Sequence, residues 1–223
     1  MSRSLERPAL AVMFRLPSLG RVKTRLCPPL TEKDAFHLYR LFLTDLFSSF
    51  KDIEKDVDVY GFYTQDGLLS AMPDVVRDVA TLLPQKGTGL GERIFHTFLQ
   101  LFWLGYRRIV TIGSDSPDMP LGHIEKAFEV LTEKDCVIGP AEDGGYYLIG
   151  LKYPWRTLFV DIPWSTEGVL GCTLKRAAYL SIGCSLIDEW YDVDDLEGLE
   201  RLVERNGNRL LSSTFAGELL DVS

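Results

Sequence analysis

Four cations and no acid stand together between Arg15 and Leu26. The stretch RLPSLGRVKTRL carries Arg15, Arg21, Lys23 and Arg25 around Gly20. Backbone N–H groups beside a glycine, with guanidinium and ammonium groups alongside, form a natural cradle for phosphate. The alternative is a solvated basic loop. The net charge of −8 makes such a run unusual in this chain and favours the cradle. The glycine spacing of a Walker loop is absent.

The acids with matching chemistry come later. Asp115 lies in GSDSPDMP, directly after the most β-branched apolar run, RIVTIG. A carboxylate at the end of a buried strand faces the ligand edge of an α/β sheet. There it suits Mg²⁺ or Mn²⁺, which take one or two carboxylates plus ligand phosphates. Asp118, before Pro120, reads instead as a cap or turn residue. Asp143, in GPAEDGGYYLI, could face Asp115 across a pocket or belong to an ordinary Asp-Gly hairpin turn. In YDVDD, Asp194 reads as the N-cap of the last helix and Asp192 as a further metal ligand. QKGTGLGER has Gly87, Gly89 and Gly91 as G-x-G-x-G, not the dinucleotide spacing. A glycine loop opening a helix can still hold a base or ribose through its backbone. His37, His96 and His123 lack ligand spacing, and there is no G-x-S-x-G elbow.

The elements that must position these groups alternate. Strands are expected at 9–14, 57–63, 75–83, 108–113, 135–139 and 184–188, with another following the glycine turn of PAEDGGYYLIGL. Helices are expected after the Thr31 cap and at 90–105, 121–132, 166–181 and 194–206, the last taken as final. This βαβ rhythm predicts an α/β fold with a mostly parallel sheet and helices on both faces. Loops 15–30, 85–93, 114–120 and 140–147 then meet at the carboxyl ends of the strands.

The whole chain fits that reading. With 223 residues, 46% hydrophobic and 25% charged, 1–223 is expected to be one domain. An acidic surface disfavours nucleic acid as a partner. Cys27, Cys136, Cys172 and Cys184 contain no C-x-x-C, and reduced thiols in a cytoplasmic protein are expected. MSRSLERPALAVMF lacks the apolar length of a signal peptide, and no segment approaches the length of a membrane span.

Taken in order, the motifs resemble a family. They are Pro17, Gly20, Lys23, Thr24, Arg25 and Leu26; Gly87 with Leu90, Gly91, Glu92 and Arg93; and Gly113, Asp115 and Pro117. Then follow Gly139, Pro140, Asp143, Gly144, Gly145 and Tyr146; Trp164 and Ser165; and Tyr191, Asp192 and Asp194. Over about residues 8–205 the chain resembles a bacterial glycosyltransferase-like family of GT-A fold proteins, some linked to arsenosugar synthesis. More distantly it is similar to 2-phospholactate guanylyltransferase, through the Lys-Ser/Thr-Arg-Leu loop.

The resemblance implies the nucleotide-diphospho-sugar transferase fold, a three-layer α/β/α sandwich. It implies Mg²⁺ or Mn²⁺ near Asp115 and Asp192, with catalytic work by Asp115, Asp143 and Lys23. Phosphate or nucleotide contacts would come from Arg15, Gly20, Lys23, Arg25, Gly87, Gly91 and Arg93. Gly144, Gly145, Tyr146, Trp164 and Ser165 would line the substrate pocket. The implied activity is glycosyl transfer from a nucleotide-sugar to a small-molecule acceptor. The alternatives are nucleotidyl transfer from a nucleoside triphosphate and a non-catalytic nucleotide-binding domain. Where the family carries an acid before L-G-E-R, this chain has Gly89.

Overall fold

A computed structural model of the chain describes residues 7–53 and 55–221. Seven strands are present among them: β1 Ala9–Phe14, β2 Asp58–Tyr63, β3 Thr81–Pro84, β4 Ile109–Ile112, β5 Cys136–Pro140, β6 Tyr146–Leu151 and β7 Cys184–Leu186. The helices are α1 Glu32–Ser49, α2 Asp74–Val79, α3 Leu90–Trp103, α4 Leu121–Glu133, α5 Val169–Tyr179, α6 Leu196–Asn206 and α7 Leu211–Asp221.

The strands form one sheet in the order β3-β2-β1-β4-β6-β5-β7. Each neighbouring pair is parallel except β4–β6 and β5–β6, so β6 alone runs against the rest. Its amino end, and not its carboxyl end, therefore reaches the rim where β1, β4 and β5 finish.

Side-chain alternation along the strands builds two cores, one on each face. On β1, Leu10, Val12 and Phe14 join a cluster with Leu38, Phe42 and Leu46 of α1, Val76 of α2, Ile124 of α4, Leu199 of α6 and Ala216 of α7. Ala9 and Ala11 point the other way, into a cluster with Ile94, Phe98 and Leu101 of α3 and Ala177 of α5. Each fully buried Leu or Phe among these contributes roughly 1.5–3 kcal/mol relative to exposure.

Thr31 caps α1 with a reciprocal box: its hydroxyl accepts from the Asp34 N–H, and the Asp34 carboxylate accepts from the Thr31 N–H. The strand expected at 75–83 is mostly helix. Pro73 opens α2, and Val76 packs into the core at helical spacing with Val75 and Val79 beside it, leaving only Thr81–Pro84 to pair with β2. Burial at i and i+3 outweighed the β-propensity of the Val-Val pair. The last helix is α7, beyond the expected end at 206, and it packs on α1 and α6. Asp45 of α1, although buried, accepts hydrogen bonds from the N–H groups of Leu211 and Ser212 and so caps α7 from across the interface. No described helix is long and apolar enough to cross a membrane.

Candidate active-site cleft

The carboxyl ends of β1 and β4, the loop after β1, the start of α3 and the β5–β6 turn surround a cleft of about 710 Å³. That size matches a small-molecule site. Arg15, Arg21, Lys23, Arg25, Asp115, Asp143, Asp192 and Asp194 all reach it, so the basic loop and the acidic motifs share one cavity.

Lys23 lies at the centre of this arrangement. Its backbone adopts the left-handed conformation (φ 49°, ψ 38°), uncommon for a residue with a Cβ. The side chain is 3% exposed, and its ammonium sits 5.2 Å from the centre of the Phe42 ring. Nζ donates to Val193 O at 2.8 Å and Asp194 Oδ1 at 3.0 Å, and it ion-pairs with Asp115 Oδ1. Burial alone pulls the lysine pKa down, but the two carboxylates outweigh it and hold the group above the ordinary lysine range. An ammonium has three protons, and here three acceptors surround it. The ammonium thus lies beneath Asp115 and Asp194, at the wall of the cleft. Arg25 is 78% exposed and lies 3.9 Å from Asp194.

Asp115 is 42% exposed and Asp194 is 50% exposed, both opening onto the cleft. Asp192 is more enclosed. Burial, followed by the nearby Asp115 charge, pushes its carboxyl up to about 6. The Ser116 hydroxyl lies 2.6 Å from Asp192 Oδ1 and 2.9 Å from Tyr191 O. Val193 N–H donates to Asp115 O at 2.8 Å, tying the end of β4 to the segment before α6. The cap of α6 is Asp195, whose carboxylate accepts from Gly198 N–H at 3.0 Å. Asp194, expected as that cap, is instead released to the cleft.

Arg15, Arg93, Gly145, Tyr146, Trp164 and Ser165 line the cavity. Gly20, Gly87, Gly91 and Gly144 do not. A Cβ on Gly91 would meet Phe159 O at 2.5 Å, and one on Gly144 (φ +85°) would meet Glu167 O at 2.5 Å. Arg93 Nε donates to Gly87 O at 3.3 Å. Gly89 opens α3 with nothing near its Cβ direction. Glu92 accepts from the N–H and hydroxyl of Thr88, which lowers its pKa and folds this loop onto the helix. Asp143 Oδ1 accepts from Gly145 N–H at 2.8 Å, the hairpin-turn contact.

Three further residues set the rim. Tyr39 of α1 accepts from Arg15 N–H at 3.1 Å and lies 3.0 Å from Ser114 Oγ, joining the ends of β1 and β4. Gln85 donates through Nε2 to Phe14 O and Phe62 O, stitching β1 to β2. Thr64 accepts from Leu16 N–H at 3.2 Å. Tyr39 reads as one more apolar position of an amphipathic helix, so its polar task left no signal.

The donor set fits a hard divalent cation. Asp115 and Asp192 offer carboxylate oxygens, and the Asp115 charge helps to raise the Asp192 carboxyl. Among the described residues, no group of three or more His, Cys, Asp or Glu side chains forms a ready-made cage.

Residues 52–166 match the bacterial family described as "Uncharacterized protein conserved in bacteria (DUF2064)". A protein of known structure from Desulfovibrio desulfuricans G20, described as a candidate nucleotide-diphospho-sugar transferase, is 30% identical. The match covers 94% of each chain with a TM-score of 0.84. A cytidylyltransferase from Leptospira borgpetersenii is 12% identical over 97% of this chain and 93% of its own (TM-score 0.57). The inositol-1-phosphate CTP transferase of T. maritima is 12% identical over 87% of this chain and 92% of its own (TM-score 0.53). These last two share the fold. No curated protein matches the chain.

Proposed function

This chain belongs to the bacterial DUF2064 family and has the nucleotide-diphospho-sugar transferase fold, and we propose that it transfers a glycosyl group from a nucleotide-sugar to a small acceptor. The observation that carries this is the shared cleft. Guanidinium groups of Arg15, Arg21, Arg25 and Arg93 and carboxylates of Asp115, Asp192 and Asp194 line one cavity of ligand size. The relative from Desulfovibrio desulfuricans supports the donor class through its description.

In this reading the arginines bind the donor diphosphate. Asp115 and Asp192 would hold Mg²⁺ or Mn²⁺, which when bound adds positive charge at that diphosphate. An acceptor hydroxyl oxygen bonds to the anomeric carbon as the bond from that carbon to the diphosphate oxygen breaks. The electron pair leaves with the nucleoside diphosphate, whose growing charge the guanidiniums stabilise. The hydroxyl proton passes to a carboxylate, for which Asp143 on the opposite wall is the candidate. Tyr146, Trp164 and Ser165 flank the acceptor space.

One observation favours a second reading, nucleotidyl transfer. Arg15, Arg21 and Arg25 crowd the loop after β1, which suits three phosphates as well as two. A phosphorylated acceptor would then attack the α-phosphorus of a nucleoside triphosphate and release pyrophosphate. The two are separated by incubating the protein and Mn²⁺ with nucleotide-sugars, and separately with nucleoside triphosphates and a sugar-phosphate panel. Release of nucleoside diphosphate is expected. Pyrophosphate release alone would replace the first reading by the second, and tight binding with no turnover in either panel would leave a nucleotide-binding domain.

A further inference from the structure

Lys23 has more contacts than a phosphate ligand in waiting would need. Its ammonium is enclosed at 3% exposure and engages Asp115, Asp194 and the Val193 carbonyl together. Both carboxylates remain 42% and 50% exposed on the cleft side. One monovalent cation thus sits where the open acids converge.

We infer that Lys23 is a resident counter-ion that keeps a divalent cation from settling on Asp115 until a phosphate-bearing ligand arrives. This rests on the transferase reading above. A divalent ion on Asp115 must share that carboxylate with the ammonium, and two cations a few ångströms apart repel strongly in a partly enclosed site. A diphosphate brings negative charge that offsets the repulsion. Lysine, a compact charge on a flexible four-carbon stem, can move from carboxylate toward phosphate more readily than a forked guanidinium. Metal and nucleotide then bind with positive coupling, each raising the affinity of the other by the same factor. The αL backbone of Lys23 (φ 49°) directs the stem beneath the acids.

The inference reverses the usual expectation for deleting a cationic site residue. Mn²⁺ binding without nucleotide, read by the loss of the free-ion electron paramagnetic resonance signal, is expected to tighten by about tenfold or more in Lys23→Met. Equal or weaker Mn²⁺ binding in a folded Lys23→Met overturns it. A measurement on the unaltered protein covers the case in which that variant does not fold. With ¹⁵N-labelled lysine, the enclosed Lys23 ammonium should give a slowly exchanging NMR signal. Mg²⁺ alone is expected to leave the signal in place, and Mg²⁺ with pyrophosphate to shift or abolish it. A shift with Mg²⁺ alone, or none with Mg²⁺ and pyrophosphate together, overturns the inference. In uniformly ¹⁵N-labelled protein, if backbone amide signals of other cleft residues still respond to Mg²⁺ and pyrophosphate, the transferase reading stands without it; if none respond, both fall.

Discussion

At the scale of single residues, Asp115 carries the most. It faces the cleft half-exposed, pairs with Lys23 and perturbs Asp192. Replacing it by Asn keeps a hydrogen-bond acceptor and removes the charge. Asp115→Asn is expected to lower transferase turnover by roughly 10²-fold or more, the scale of losing one well-placed electrostatic group. Stability should fall by only about 1 kcal/mol, because Asp194 still neutralises Lys23 and the Asp115 carboxylate is partly solvated. Turnover assays beside urea denaturation check both; full activity in a folded variant removes Asp115 from the site. Arg25→Ala, at a side chain 78% exposed, is expected to weaken nucleoside diphosphate binding about tenfold while leaving nucleoside binding unchanged. Calorimetry with the two ligands decides it, and equal losses would contradict a phosphate contact.

At the scale of elements, caps and turns decide which side chains are free to act. Asp195, not Asp194, closes the first turn of α6, so Asp195→Ala should cost about 1 kcal/mol, seen as a lower urea midpoint with an unchanged slope. The sequence made the sheet-end acids and the basic loop legible, because a carboxylate after RIVTIG and four cations before Leu26 are local facts. The choice between Asp194 and Asp195 was not legible. Both are good caps, and the decision is made by Lys23, which is remote in sequence and claims Asp194. The glycines show the same limit. Gly91 and Gly144 were recognisable as important, yet their contacts with Phe159 and Glu167 come from segments no spacing rule connects to them. In α2, valines that suggested a strand became helical because the core accepts Val76 from that side.

At the scale of the whole molecule, pH acts through groups that join distant parts. His123 of α4 lies 2.7 Å from the Tyr147 hydroxyl of β6 and packs edge-on against Trp190. Burial lowers its pKa below the ordinary 6.5, against the opposing charge of Asp188. Above that unfolded value the group is neutral in both states. As pH falls through it, the unfolded chain binds the proton first, so stability declines until the lower folded pKa is passed. Asp192, held up to about 6, acts with the opposite sign, and its share cancels when His123→Gln is compared with the parent protein. The variant should lose less stability than the parent between pH 7 and 5 in thermal melts; parallel curves would remove His123 as the cause. The reversed direction of β6 has a consequence at the same scale. An antiparallel neighbour can be reached by a tight turn, whereas a parallel one needs a long crossover. The wall opposite the arginines is therefore a hairpin tip, where extra residues add little closure entropy and leave both cores intact. Under the proposed reading, a change in the length of the connection between Ala141 and Gly145 would alter the acceptor side of the cleft while leaving the arginine side in place.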